Sequence, residues 1–248
     1  MIHPTSTLEA RTADIADNLE RVRHAISDAA AAAGRNPRDV RLIAVSKTMP
    51  AVNVEAAACA GQIEFGENTM QDALTKIPVL RKRGLTWHFI GHLQTNKVKF
   101  VPGHFAWVHS VDRLTLAQKL SLACERAGAR LNTLVQVNVT GDPNKHGIAP
   151  KSTPAFIDQL IDANLPALEL CGLMTMGPYQ ADEHALQGCF ARLRTLFEEC
   201  RGRLSLPKFT ELSMGMTDDF RIAIAEGATM VRIGTAIFGH RAYKTPKT

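Results

Sequence analysis

Eight short apolar runs, each set apart from the next by a stretch with helical signals, constrain this chain more than any other feature. They are Leu42 to Val45, Ile63 to Phe65, Trp87 to Ile90, Ala106 to Val108, Leu134 to Val139, Leu168 to Leu173, Thr210 to Leu212 and Val231 to Ile233. Runs that are apolar on both faces and are followed by helices predict parallel strands buried on both sides. Eight such βα units close into a (β/α)8 TIM barrel, a fold that uses about 250 residues. The chain has 248. An open doubly wound sheet also fits the alternation, but no GxGxxG follows a strand.

Helix signals fill the intervals. Thr7 is placed to cap a first helix in which Ile15, Leu19, Val22 and Ile26 recur at three- and four-residue steps, and Gly34 stops it. This N-terminal helix is extra to the eight units. Asp112 precedes LTLAQKLSLACERAG, Thr153 and Pro154 precede AFIDQLIDA, and Thr217, Asp218 and Asp219 precede FRIAIAEG. The polar side chains are expected to satisfy orphan amides, and the proline to sit in the first turn. No Pro/Gly/Ser-rich linker, low-complexity tract or repeat divides the chain, so residues 1–248 are expected to form one domain.

Composition narrows the function classes. Hydrophobic residues make up 45% and charged residues 21%, proportions that suit a packed core rather than a disordered chain. The net charge of +5 admits anionic ligands, yet the basic residues are scattered and only two Trp and two Tyr are present. Nucleic-acid binding needs a clustered basic face, so the surplus is read as solubility with a local attraction for phosphate. The five cysteines, Cys59, Cys124, Cys171, Cys189 and Cys200, form no CxxC pair and are odd in number. That argues against a disulfide framework or zinc ribbon and for reduced thiols. Residues 1–30 lack a long apolar run, and no stretch reaches the roughly 18 apolar residues of a membrane span. Neither a leader nor a membrane segment is expected, and the expected location is cytoplasmic.

On a barrel, polar residues at the C-terminal strand ends converge on one face, where sites of this fold lie. Lys47 directly follows LIAVS, so its stem should run along apolar strand ends with its amine at the barrel mouth. Desolvation there lowers a lysine's pKa and allows imine formation. Taken alone, Lys47 reads first as a lysine that merely snorkels to water, and by itself it decides nothing. After strands seven and eight come SMGMTDD and RIGTAIFG, with a small hydroxyl, glycines and a helix beginning near Thr235. Together on those strands they predict phosphate binding, since barrels often hold phosphate between these two loops. Arg232, two residues before Gly234, points inward if Ile233 points outward, and a buried guanidinium needs a partner. That partner is either a structural carboxylate or the ring nitrogen of a cofactor. His88 and His92 are four apart, but in a strand followed by a glycine turn, with no HExxH, so no metal site is expected. His88 is read as a barrel-interior or site-lining residue. His109 and Ser110 are similarly ambiguous, and Cys171 reads as a buried thiol.

These residues match a family pattern. LIAVSKTMP, FGEN, WHFIGHLQTNK, HSVDR, LVQVNV with the KHGI loop, CGLMTM, LSMGMTDDF and MVRIGTAIFG together resemble the YggS/PROSC family of pyridoxal-phosphate homeostasis proteins, relatives in fold of the N-terminal barrel of alanine racemase. The resemblance covers about residues 7–240. It implies pyridoxal 5'-phosphate (PLP) as cofactor, Lys47 as the Schiff-base lysine, and Ser213, Met214, Gly234 and Thr235 as the phosphate site. It further implies that Arg232 faces the pyridine nitrogen and that Asn68 and His88 line the ring pocket. Thr69 departs from the usual Tyr after FGEN, which puts a rim contact there in doubt.

The resemblance implies a PLP carrier in intracellular vitamin B6 homeostasis, with little or no turnover and with PLP-requiring apo-enzymes as recipients. A monomer is expected. An arginine at the ring nitrogen does not readily surrender a proton, so the ring is a weaker electron sink than one paired with an acid. The chain ends at Thr248, just after the eighth unit, and the additional β domain of alanine racemases is not expected. The alternatives are a slow PLP-dependent amino-acid racemase and a cofactor-free Schiff-base aldolase.

Overall fold

In the computed structural model, residues 4–203 and 206–239 are described, with side chains from residue 12 onward. Eight parallel strands close into a barrel in sequence order: β1 (Arg41–Val45), β2 (Glu64–Glu67), β3 (Thr86–Phe89), β4 (Trp107–Val111), β5 (Leu131–Gln136), β6 (Leu168–Met174), β7 (Glu211–Ser213) and β8 (Met230–Ile233). β8 pairs back onto β1, with Ile43 opposite Arg232. The helices are α1 (Pro4–Ala32), α2 (Ala51–Cys59), α3 (Met70–Leu80), α4 (Leu114–Arg126), α5 (Thr153–Asp162), α6 (Glu183–Arg203), α7 (Phe220–Ala225) and α8 (Thr235–Phe238). The barrel and the N-terminal helix are thus both present as expected.

Strand alternation divides the apolar residues into two cores. Ile43, Trp107, Leu134, Cys171, Met174 and Met230 fill the barrel interior. Ala44, Phe65, Val108, Val135, Leu173, Val231 and Ile233 face outward into the larger core under the helices. Arg232 therefore points inward between Val231 and Ile233. α1 lays Ile15, Leu19, Val22 and Ile26 against this outer core and packs on α2, α7 and α8. The Asn18 amide donates to the Ile237 carbonyl at 3.0 Å, which ties α1 to the short helix after β8.

Several local expectations change. α1 already begins at Pro4, so Thr7 lies within the helix and is not its cap. The N-cap of α4 is Arg113, and Asp112 instead holds the Arg113 guanidinium. The N-cap of α5 is Ser152, which makes no side-chain cap bond; Thr153 Oγ1 donates back to the Ala149 carbonyl. Asp219 occupies the N-cap of α7, yet its carboxylate accepts from the Met216 amide and closes the loop after β7. For Asp112, Thr153 and Asp219 a tertiary or turn contact outcompetes the helix amides for the carboxylate or hydroxyl. β5 starts three residues earlier than its apolar run, because Asn132 and Thr133 interrupt the hydrophobic pattern but not the strand pairing. The β5–β6 register shifts there, opposite Gly172 (φ +151°), where a Cβ would lie 1.8 Å from the Glu211 carbonyl oxygen. Only glycine admits that approach. Among the described residues no helix is long and apolar enough to cross a membrane.

Candidate functional site

The segment carrying Lys47 is clamped on both sides. Ser46 closes β1, with its amide on the Gly66 carbonyl and its hydroxyl donating to Glu67 Oε1 at 2.6 Å. Thr48 adopts a left-handed backbone (φ +66°), a conformation that costs a non-glycine residue about 1 kcal/mol or more. Its amide is held by the Asp72 carboxylate. Asp72 sits in the first turn of α3, where its own amide donates to the Thr69 hydroxyl at 3.2 Å. Thr69 thus serves as a helix cap.

Beneath this turn lies Lys76, only 1% exposed. Its ammonium donates to the Ser46 carbonyl at 2.6 Å and contacts Glu67 Oε1 at 2.8 Å and Asp72 Oδ2 at 2.9 Å. Burial pushes the Glu67 carboxyl up to about 7, opposed by the Lys76 charge and the hydrogen bonds from Lys76 and Ser46. A buried cation with two acidic partners and a carbonyl is satisfied in geometry as well as charge. Neither Lys76 nor Asp72 stands out in the sequence. Their i,i+4 spacing reads as a solvated surface pair, and only barrel closure buries it.

The barrel mouth opens into a cavity of about 300 Å³. Lys47, Asn68, Arg232, Gly234 and Thr235 line it, together with Gly91, His92, Gln136, His146 and the loop Met216, Thr217 and Asp218. Gly91 matters because a Cβ there would stand 2.1 Å from the Asn68 carbonyl oxygen. The loops after β2 and β3 can meet at this wall only through glycine.

Three other expected site residues do not line the cavity. Met214 turns outward into the core under the helices, and its amide is spent on the Met230 carbonyl. The loop after β7 reaches the cavity two to four residues later, at Met216 to Asp218. Ser213 is fully buried and supports Arg232 from below. His88 is also fully buried, inside the barrel, where it stacks on Trp107 at 5.6 Å. Both face inward by strand alternation, but too deep to border the cavity.

Arg232 is anchored by two hydrogen bonds, from NH1 to Ser213 Oγ at 2.7 Å and from NH2 to the Thr175 carbonyl at 2.8 Å. Burial pushes its guanidinium down to about 10, with the Asp219 charge acting the other way, so it remains a cation at neutral pH. Ser213 Oγ lies 3.0 Å from His109 Nδ1, and His109 Nε2 lies 3.0 Å from His88 Nδ1. A guanidinium only donates, so the Ser213 oxygen accepts from Arg232. When the Ser213 hydroxyl gives its own proton to His109 Nδ1, the His109 proton lies on Nε2 and reaches His88 Nδ1. His88 then carries its proton on Nε2, 3.8 Å from Glu64 Oε1. Burial lowers the pKa of both histidines, that of His109 further through the nearby charges of His88, Arg232 and Arg41. Both rings are neutral, as the wire requires. The hydrogen-bonded chain stops at His88 Nε2, which has no hydrogen-bond partner among the described residues. Beyond that gap burial alone would raise Glu64, but contacts with His88 and Arg41 outweigh it and hold the carboxyl at about 2.

The model of the alanine racemase N-terminal domain family matches residues 18–242 of this closed parallel barrel. An alanine racemase from Corynebacterium glutamicum, 16% identical, superposes with a TM-score of 0.66 over 94% of this chain and 63% of its own, and shows the fold alone. The pyridoxal phosphate homeostasis protein of Pseudomonas aeruginosa is 48% identical over 232 residues, 94% of this chain and 98% of that one. The PipY protein of Synechococcus elongatus, solved with PLP bound, is 36% identical, with a TM-score of 0.79 over 91% of this chain and 100% of its own. Within the barrel class, this chain belongs to the family of pyridoxal phosphate homeostasis proteins.

Proposed function

We propose that this protein holds PLP at the barrel mouth, covalently through the Lys47 amine, and serves intracellular vitamin B6 homeostasis with little or no catalytic turnover. The observation that carries this reading is the meeting of Lys47, Arg232, Gly234 and Thr235 around one cavity of about 300 Å³. The donor set fits the group. An amine suits an aldehyde, a buried guanidinium suits a pyridine nitrogen, and the first turn of α8 with Thr217 suits a phosphate dianion. Bound there, PLP supplies a reactive aldehyde and an electron-withdrawing ring.

The remaining roles fall to the chain's own residues. The Lys76, Glu67 and Asp72 cluster holds the backbone on both sides of Lys47 and so aims its amine. Asn68 borders the ring space, with Gly91 keeping its loop in place. Ser213 and Thr175 orient Arg232, and His88 acts through this buried wire rather than by touching the ring. Arg232 stays protonated, so it offers the ring nitrogen a hydrogen bond without handing over a proton. That arrangement supports storage over carbanion chemistry. The reading extends to a monomeric, cytoplasmic carrier built as one barrel domain that passes PLP to apo-enzymes. Four of its five free thiols are buried, which suits a reducing compartment.

Borohydride reduction of the PLP-loaded protein followed by peptide mapping tests the assignment. The reduced adduct is expected on Lys47, with the visible absorbance lost in Lys47→Ala. An adduct mainly on Lys97 or Lys145 overturns it.

A further inference from the structure

The loops after β3, β4 and β5 bring His92, Asp112 and His146 together at the rim of the cavity. Each offers one donor atom, and all three atoms lie within 4.8 Å of one another. The two imidazoles stack, with centroids 3.7 Å apart and planes inclined by 17°. His92 Nδ1 lies 3.7 Å from Asp112 Oδ2. We propose that these three residues form a binding site for a divalent d-block cation of the Zn²⁺ or Co²⁺ type.

The donor chemistry selects the ion. Two imidazole nitrogens and one carboxylate oxygen suit zinc, cobalt or nickel, whereas magnesium and calcium prefer oxygen-only cages. Bonds of about 2.0–2.2 Å in a tetrahedral site place donors roughly 3.3–3.5 Å apart. The His92 to Asp112 separation needs to close by a few tenths of an ångström, and a donor pair at the 4.8 Å limit by about 1.3–1.5 Å. To bind one ion, each ring must turn out of the stack so that the lone pair in its plane converges with the other's; both histidines lie on the surface side of the rim, where that rotation is open.

Asp112 is already oriented for the task. Its Oδ1 is bound by the Arg113 guanidinium, which leaves Oδ2 facing His92. The same guanidinium donates to the Leu93 carbonyl at 2.7 Å, fixing the loop that carries His92. Such outer contacts orient a ligand carboxylate, although the positive charge of Arg113 also weakens attraction for a cation. Three protein ligands leave a fourth position for water or for a carboxylate oxygen from a small molecule at the mouth. His92 and His146 both border the cavity, so the ion sits beside whatever the cavity holds. Sequence spacing pairs His92 with His88, but the barrel sends His88 inside and supplies Asp112 and His146 from the next two loops.

The test uses the full chain with any affinity tag removed, titrated with ZnCl₂ by calorimetry and with CoCl₂ by visible absorbance. One equivalent is expected to bind, with a dissociation constant in the roughly micromolar range, and the cobalt complex should show ligand-field bands without a thiolate charge-transfer band. His92→Ala and His146→Ala should each weaken binding by at least ~10-fold, with thermal midpoints close to the parent because both side chains are exposed. Cys59→Ser, which removes the exposed thiol, should change nothing. Equal zinc affinity in the parent and both histidine variants overturns the proposal, as does a cobalt thiolate band abolished by Cys59→Ser. The site does not depend on PLP at Lys47: Lys47→Ala should bind zinc like the parent, so failure of either reading is distinguishable from failure of the other.

Discussion

The Lys76 ammonium donates to the Ser46 carbonyl at 2.6 Å, one residue before Lys47, and contacts Asp72, whose other partner is the amide one residue after it. A buried charge from α3 therefore sets the backbone that aims the candidate cofactor lysine. Lys76→Ala leaves Glu67 buried without its cation and should cost about 3–5 kcal/mol. Urea unfolding measures the loss. The double variant Lys76→Met with Glu67→Leu should regain most of that stability while still loading PLP more slowly than the parent. Full recovery of both would mean that the cluster stabilises the barrel without positioning Lys47.

Glu67 and Glu64 should give opposite pH signatures. Glu67 is held near 7, above its ordinary 4.5, so between these values the folded state keeps a proton that the unfolded chain releases. Its contribution is fully present below about pH 4.5 and declines as pH rises through 7. Glu64 is held near 2, below the same ordinary value, so its contribution is present above about pH 4.5 and is lost as pH falls through 2. Urea midpoints from pH 2 to 8 check both signs. Glu67→Gln should flatten the slope between pH 4.5 and 7, and Glu64→Gln should flatten the one between pH 4.5 and 2.

Gly91→Ala should damage the cavity wall from the loop side. The added methyl meets the Asn68 carbonyl oxygen at 2.1 Å, a contact that only backbone movement relieves. A stability loss of about 1–3 kcal/mol is expected, together with weaker PLP binding. Fluorescence titration with PLP beside a thermal melt separates the two effects. Binding and stability equal to the parent would show that the loops after β2 and β3 are not held together by this approach.

Arg232 should govern affinity more than chemistry. Arg232→Gln removes a cation whose hydrogen bonds are charge-assisted, and PLP binding should weaken by roughly tenfold or more. The parent protein loaded with PLP and incubated with L-alanine in deuterated water should exchange the α-proton far more slowly than an ordinary enzyme. Turnover at about 1 s⁻¹ or faster, abolished by Lys47→Ala, would replace the storage reading with that of a racemase.

The phosphate should dominate recognition of the cofactor, because several charge-assisted hydrogen bonds outweigh a single neutral one. Pyridoxal should bind at least ~10-fold more weakly than PLP by the same titration, and Thr235→Val should narrow that gap. Equal affinities for the two vitamers would remove the phosphate site from the loops after β7 and β8.

Much of this molecule is legible in one dimension because its signals are local. Eight apolar runs become eight strands, the 3.6-residue periodicity of Ile15, Leu19, Val22 and Ile26 becomes the buried face of α1, and the two-residue period of β8 turns Arg232 inward. The position of Lys47 at the end of β1 follows in the same way. What local pattern does not carry is depth and partnership. Met214 and Met216 differ by two residues, yet one packs outside the barrel and the other borders the cavity, because Gly215 (φ +93°) and the Asp219 carboxylate redirect the chain between strand and helix. His109 meets Ser213 across 104 residues of sequence, and Lys76 finds Ser46 across 30. These meetings come from barrel closure, which desolvates the polar groups and strengthens the contacts of those that find a partner inside. The sequence by itself determined the strands, the helices and the lysine at the mouth; the closed tertiary structure decided which charges are buried, which histidines stay neutral and which loops border the cavity.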